Sequence, residues 1–290
     1  MNSACSSGEN MLTKQEFLSK VTPLTPQPTK IRPGGTLNHK IECVLFDVYG
    51  TLLISASGDI GVAKKESENT WKLEPLLRKF GISQPPASLL NDFFAAIQNE
   101  HQNLRKAGTA HPEIRIEEIW KQILNIKTLD RAKAFAIEFE MIANPVYPMP
   151  HLSEMLHACR QKKILLGIIS NAQFYTPLLM KWFLDCDLTD LGLDPELMIF
   201  SYQHHQAKPS LSLFRLAVAQ LKKKRIPEKA VIYLGNDMLN DIYPAHAVGF
   251  KTALFAGDAR SLRLREKDSR CENVSPDLII TELLQILGYL

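Results

Sequence analysis

The stretch of sequence that decides the fold is CVLFDVYGTL, residues 43–52. It opens with four apolar residues and turns polar at Asp47. A short run that is apolar throughout is typical of a strand buried on both faces of a parallel sheet. Ligands bind beyond the carboxyl ends of the strands in such sheets, so Asp47 is a candidate functional residue.

Further apolar runs suggest the rest of the sheet. They cover residues 164–169, 230–234 and 252–255, with a shorter one at 197–201. Helical patterns lie between them; for example, one helix face carries Leu152, Met155, Leu156 and Cys159. Strands that alternate with helices predict βαβ units with right-handed crossovers. We therefore expect an α/β fold with a Rossmann-like parallel sheet core.

The segment after the first strand has a different pattern. Helical periodicity runs through it with almost no strand signal, and the predicted helices cover 62–80, 89–107, 116–124 and 130–143. Proline-rich residues 144–150 then block helix and lead back to the sheet. We predict an inserted α-helical cap at 59–145 and a core made of 39–58 and 146–290. Residues 1–38, rich in Pro, Thr and Gly after residue 22, are predicted as an extended N-terminal appendage.

Composition excludes several classes of function. The 290 residues carry a net charge of +3, too small to indicate a nucleic-acid partner. None of the five cysteines forms a Cys-x-x-Cys pair, which favours free thiols in a reducing compartment. No apolar run approaches the ~20 residues that span a bilayer, and the first ten residues lack a signal-peptide pattern. We expect a cytoplasmic protein without membrane or nucleic-acid partners.

Three of the predicted strands end in polar residues. Asp47 follows the first run, Ser170-Asn171 follow the run at 164–169, and Gly235-Asn236-Asp237 follow the run at 230–234. Because the carboxyl ends of parallel strands meet at one edge of the sheet, these residues are expected to converge.

These motifs carry a family resemblance. FDVYGTL at 46–52 resembles the first motif of the haloacid dehalogenase superfamily, and Ser170-Asn171 the second. Lys208-Pro209 before a helix resembles the third, and the acidic stretch 235–241 the fourth. The resemblance covers residues 41–290 and is specific because all four motifs occur in order.

The resemblance implies a role for each residue type. Asp47 would be a covalent nucleophile that splits one displacement into two steps. Thr51 and Ser170 would donate hydroxyl hydrogen bonds at the site, to which Asn171 also belongs. Lys208 would supply positive charge to the nucleophile and to a small anionic substrate.

The resemblance also implies Mg²⁺, with Asp47, the Tyr49 carbonyl, Asp237 and Asp241 as its ligands, since Mg²⁺ prefers oxygen and keeps waters. In an alternative register, Asn236 stands at the first acidic position and leaves Asp241 as the main metal contact.

Three features of this sequence bear on the choice between the phosphatases and the dehalogenases of this superfamily. Tyr49 stands where phosphatases carry a second aspartate that acts as acid and base, and the Asp-x-Tyr form is similar to the 2-haloacid dehalogenases. Those enzymes, however, carry an arginine early in the cap, and this chain has no arginine between Leu52 and Leu77. They also carry a tyrosine where this chain has Phe214.

Three hypotheses follow. The first is a Mg²⁺-dependent phosphohydrolase that acts on a small phosphorylated metabolite. The second is a 2-haloacid dehalogenase that works without metal. The third is a catalytically weak member that binds a ligand or a partner.

Overall fold

The computed structural model describes residues 12–56 and 72–290. Its strands are β1 Gly34–Gly35, β2 Cys43–Phe46, β3 Leu53–Ser55, β4 Val146–Pro148, β5 Leu165–Ser170, β6 Leu193–Phe200, β7 Val231–Gly235, β8 Lys251–Phe255 and β9 Leu278–Ile280. Its α-helices are α1 Lys14–Lys20, α2 Glu74–Lys79, α3 Pro86–Lys106, α4 Ile116–Ile123, α5 Leu129–Ala143, α6 Leu152–Gln161, α7 Thr176–Leu184, α8 Ser201–His204, α9 Leu211–Lys223 and α10 Tyr243–Ala247.

Seven strands form the central sheet, in the order β1-β9-β8-β7-β2-β5-β6. All neighbours are parallel except β1, which pairs antiparallel with β9. This arrangement confirms the predicted α/β class with a mainly parallel, Rossmann-like sheet. Strand β2 lies at the centre between β5 and β7, so its polar C-terminal end has a neighbour on each side.

The all-apolar sequence of β2 is explained by its two buried faces. Val44 and Phe46 pack into one hydrophobic layer, whereas Cys43 and Leu45 pack into the layer on the opposite side of the sheet. All four residues are fully buried. Because side chains alternate along a strand, a run with no polar residue is what burial on both faces requires.

A helical insertion, defined here as α2 to α5, joins the two strands of a small separate sheet. The chain leaves the core through β3 and returns through β4, which pair antiparallel with Leu53 opposite Pro148. Helix α5 begins after Thr128, whose side chain accepts a hydrogen bond from the backbone N–H of Arg131. The predicted helix at 62–80 lies partly outside the described residues; within them, α2 covers its end.

Residues 12–38 lie along the core. Phe17 of α1 is buried and packs on the ring of Trp182 in α7, with 5.0 Å between ring centroids. Further along, the hydroxyl of Thr29 donates a 2.7 Å hydrogen bond to the carbonyl of Ala256. Strand β1 then adds the segment to the edge of the sheet. None of the described helices is both long enough and apolar enough to cross a membrane.

Candidate active site

The sheet brings four distant stretches of chain to one edge. Phe46, the last residue of β2, lies opposite Ile168 of β5 and Leu234 of β7. The residues that follow these strands therefore emerge side by side. Lys208, from the loop before α9, reaches the same place.

Lys208 is the centre of the site. Its Nζ lies 2.7 Å from Oδ1 of Asp47 and 2.6 Å from Oδ1 of Asp241, and it also donates to the Tyr233 hydroxyl at 3.1 Å. Only 3% of its side chain is exposed. Burial lowers the pKa of Lys208, but Asp241 and Asp47 outweigh it and hold that pKa above its ordinary value. The lysine therefore stays charged beside the candidate nucleophile.

Asp241 supports the lysine from inside the protein. It is 1% exposed, and burial raises its pKa to about 7 although Lys208 opposes this shift. Its Oδ2 accepts a 2.9 Å hydrogen bond from the backbone N–H of Asp237. The carboxylate fits because Gly235 has no side chain: a Cβ there would lie 2.4 Å from Cγ of Asp241.

The side chain of Asn171 positions Lys208 by binding the backbone of the lysine. The Asn171 Oδ1 accepts a 2.7 Å hydrogen bond from the Lys208 N–H, and its Nδ2 donates to the Lys208 carbonyl at 3.3 Å. The side-chain amide thus ties the loop of Lys208 to the end of β5.

The two predicted hydroxyl donors lie behind the site, not on its surface. Thr51 is fully buried and donates to Oδ1 of Asn236 at 3.1 Å. Ser170 is also fully buried, and the single hydrogen bond that its hydroxyl makes among the described residues is a 3.5 Å contact to the Asn171 carbonyl. Neither residue lines the cavity described below. Their predicted contact with a bound anion stays a prediction.

The predicted metal ligands do not form one set of free oxygens. Arg265 binds both carboxylate oxygens of Asp237, with Nη2 at 2.6 Å from Oδ2 and Nε at 3.1 Å from Oδ1. Asp241 is paired with Lys208. In the described part of the chain, no group of three or more His, Cys, Asp and Glu side chains is placed to hold a metal ion.

The alternative register gives no better set. Asn236 lines the cavity, but its amide is neutral and bridges Thr51 and the carbonyl of Ser261. All three predicted carboxylates are ion-paired with cationic side chains: Asp47 and Asp241 with Lys208, and Asp237 with Arg265. Asp237 and Asp241 would have to give up these pairs to bind Mg²⁺. The residues therefore do not fit a magnesium site built on Asp237 and Asp241.

Tyr49 is held by the core. Its hydroxyl shares a 2.7 Å hydrogen bond with the hydroxyl of Thr176. Burial raises the pKa of the Tyr49 phenol far above its ordinary value, and the nearby Glu140 raises it further. A phenol of this kind does not give up a proton near neutral pH.

Tyr49→Phe is expected to change turnover little. The substitution removes one hydrogen bond, at a cost of about 1 kcal/mol in the free energy of unfolding, but it removes no proton donor. Steady-state kinetics and denaturant unfolding of this variant test the expectation. A loss of turnover much larger than the loss of stability would show that the phenol takes part in the reaction.

A cavity of about 310 Å³ opens in front of Asp47. Most of its lining residues are polar, and the sequence analysis missed several of them, including Glu113, Glu140, Gln173, Arg263 and Arg265. One signal could have revealed Glu140: it lies in the apolar sequence FAIEFEMIA at 135–143, where a charged residue must be buried or paired. The arginines gave no such signal, because their loop has no pattern.

Comparisons with known proteins agree on the fold. A sequence model described as haloacid dehalogenase-like hydrolase matches residues 41–249. A search of curated protein sequences gave no significant match.

Two solved structures illustrate the likeness. The 2-haloacid dehalogenase from Pseudomonas syringae pv. Tomato DC3000 has 19% identity and a TM-score of 0.52, covering 86% of this chain and 97% of its own. A HAD phosphatase from Thermococcus onnurineus has 19% identity and a TM-score of 0.50, covering 86% and 98%. At such low identity these likenesses show the fold alone.

Proposed function

Because this chain belongs to the haloacid dehalogenase-like hydrolases, we propose that it hydrolyses a small phosphate ester with Asp47 as its covalent nucleophile. The observation that carries the proposal is the position of Asp47 on the cavity wall, with Oδ1 held 2.7 Å from the Lys208 ammonium. No described residue makes a hydrogen bond to Oδ2, which leaves that oxygen for attack.

The charge and polarity of the cavity support a phosphate ester. Three described cations line it beside five carboxyl groups. Lys208 and Arg265 are paired with carboxylates, whereas Arg263 has no carboxylate partner among the described residues and can bind an anion. Ala172 is the one small apolar residue in the described lining. A phosphoryl group has several oxygens that accept hydrogen bonds and matches such a surface.

The chemistry proceeds in two displacements. Asp47 Oδ2 attacks phosphorus, and the alcohol leaves with the electron pair of the broken P–O bond. Water then hydrolyses the aspartyl phosphate and restores the carboxylate. Lys208 keeps Asp47 oriented and stabilises the charge that builds up on the transferred group.

Magnesium is not part of this scheme. The sequence predicts Mg²⁺, but Arg265 and Lys208 occupy the carboxylates that would hold it. We therefore expect phosphate release to persist in the presence of a chelator.

A 2-haloacid dehalogenase is the second candidate. It is favoured by Tyr49, since the expulsion of halide requires no proton and the phenol of Tyr49 supplies none.

We further propose that the segment 59–145 acts as a cap over the core formed by 39–58 and 146–290. Three residues of this segment, Glu113, Glu140 and Asn144, line the same cavity as Asp47. Closure of such a cap would exclude water and limit the size of the substrate.

The products distinguish the candidates. We would incubate the purified chain with a panel of phosphorylated metabolites and with 2-chloropropionate, each with and without chelator, and measure phosphate and halide. Phosphate release that survives the chelator supports the proposal. Halide release alone favours the dehalogenase, and phosphate release that stops in chelator contradicts the metal-free scheme. If neither product forms, the binding hypothesis gains support.

A further inference from the structure

This inference rests on the proposed function and concerns the source of the proton that the leaving group requires. When the P–O bond of an ordinary ester breaks, the leaving oxygen takes the electron pair and requires a proton. Most acidic groups in the cavity cannot donate this proton to the leaving oxygen. Burial raises the pKa of the Tyr49 and Tyr175 phenols, and Lys208 is locked between two carboxylates.

Among the described carboxyl groups of the cavity, three are already engaged and are excluded as the proton donor. Asp47 is the nucleophile, and Asp237 and Asp241 are ion-paired with Arg265 and Lys208. Two glutamates remain, both from the helical insertion and its loops.

Both carboxylate oxygens of Glu113 accept hydrogen bonds from neighbouring residues. Its Oε2 accepts a 2.7 Å hydrogen bond from the Ser201 hydroxyl. Its Oε1 accepts from the backbone N–H of Ile114 at 2.9 Å and from Nε2 of Gln173 at 3.2 Å. Both oxygens are held in place, which ties this carboxyl to the core.

Glu140 also lines the cavity, and its carboxyl group accepts fewer hydrogen bonds than that of Glu113. It is 9% exposed; Oε1 accepts a 3.1 Å hydrogen bond from Nδ2 of Asn144, and the carboxyl also accepts from the Tyr175 phenol. No described cation pairs with it. Glu138, two residues earlier on the same helix, is by contrast ion-paired with Lys20 and Lys79.

The position of Glu140 relative to the nucleophile is also suitable. Glu140 lines the same cavity as Asp47 and Tyr49. It therefore faces the space into which the substrate of Asp47 would bind.

We propose that Glu140 is the general acid and base of the reaction. In the first step its carboxyl proton moves to the leaving oxygen as the Asp47–phosphorus bond forms and the ester bond breaks. In the second step the Glu140 carboxylate takes a proton from the attacking water as the Asp47–phosphorus bond breaks. Each cycle returns both carboxyl groups to their starting state.

Burial shifts the proton equilibrium of Glu140 towards its protonated form, compared with an exposed glutamate. Burial raises the pKa of Glu140, although the hydrogen bonds from Asn144 and Tyr175 oppose it. A carboxyl group whose pKa is shifted towards neutral can both donate and regain a proton at working pH.

The test compares leaving groups in the full-length chain. The wild type, Glu140→Gln and the matched control Glu113→Gln are assayed with phenyl phosphate and with p-nitrophenyl phosphate, whose leaving group is far more acidic. We expect Glu140→Gln to lose ~10²–10⁴-fold in turnover of phenyl phosphate, the usual range for loss of a general acid, and to lose much less with p-nitrophenyl phosphate. We expect Glu113→Gln to change both rates by the same factor.

The p-nitrophenyl assay also shows that the variant is folded. Equal losses of Glu140→Gln on both esters, or no loss on either, would overturn the assignment of Glu140 while leaving the proposed function intact. A wild type that hydrolyses neither ester would instead remove the proposed function, and this inference with it.

Discussion

Replacing Asp47 with asparagine is expected to lower turnover at least ~10⁴-fold, because removal of a covalent nucleophile typically costs several orders of magnitude. The amide has nearly the shape of the carboxylate but does not attack phosphorus. Lys208 keeps its second partner, Asp241, 2.6 Å away, so the surrounding structure should survive. Steady-state assays with the best substrate of the panel measure the effect.

Asp190→Asn is the matched control for this prediction. Asp190 is exposed and lies in a surface turn outside the cavity. It should keep full activity. An Asp47→Asn protein that is folded and retains more than a small fraction of turnover would show that another group is the nucleophile.

Lys208→Met is expected to lower the free energy of unfolding by about 3–5 kcal/mol, the usual cost of removing one partner of a buried ion pair. Without the ammonium, Asp47 and Asp241 are left side by side with no cation between them. Turnover should fall as well, because Lys208 orients the nucleophile. Denaturant unfolding measures the stability.

Two further proteins make this prediction specific. Adding Asp241→Asn to Lys208→Met removes one of the two stranded charges and should recover part of the lost stability. Lys224→Met is the control, since Lys224 also binds two carboxylates, Asp194 and Glu196, but lies nearer the surface. It should cost about 1 kcal/mol or less. A Lys208→Met protein as stable as this control would contradict the buried network.

The sequence predicted the centre of the sheet well, for a physical reason. Strand β2 matches the run at 43–46 at both ends, because a strand buried on both faces must be apolar throughout. The two short strands at one end of the sheet were missed. Strand β9 has three residues and β1 is a pair of glycines, so neither has a periodic pattern. They form because neighbouring strands offer them hydrogen bonds.

The site was harder to read than the sheet. The spacing of Asp237 and Asp241 is the same whether they hold a metal or bind cationic side chains. The partner of Asp237 is Arg265, which lies 28 residues further along the chain, beyond β8. Long-range ion pairs of this kind leave no local pattern.

Thr51 and Ser170 illustrate a related difficulty. Both follow apolar strands and therefore lie near Asp47, as expected from the topology. Which way a side chain points depends on packing: Thr51 turns towards Asn236, and Ser170 is enclosed at the end of β5. A sequence motif predicts which part of the fold a residue occupies more readily than it predicts the contacts of its side chain.

The most direct test of the account is to trap the covalent intermediate. The wild-type chain would be mixed with its best phosphate ester, quenched in acid during turnover and treated with hydroxylamine, which converts an aspartyl phosphate to a hydroxamate. Peptide mass spectrometry should then find the modification at Asp47 and at no other carboxylate. Turnover that continues while Asp47 stays unmodified, or a hydroxamate at a different residue, would contradict the central claim that this aspartate carries the phosphoryl group.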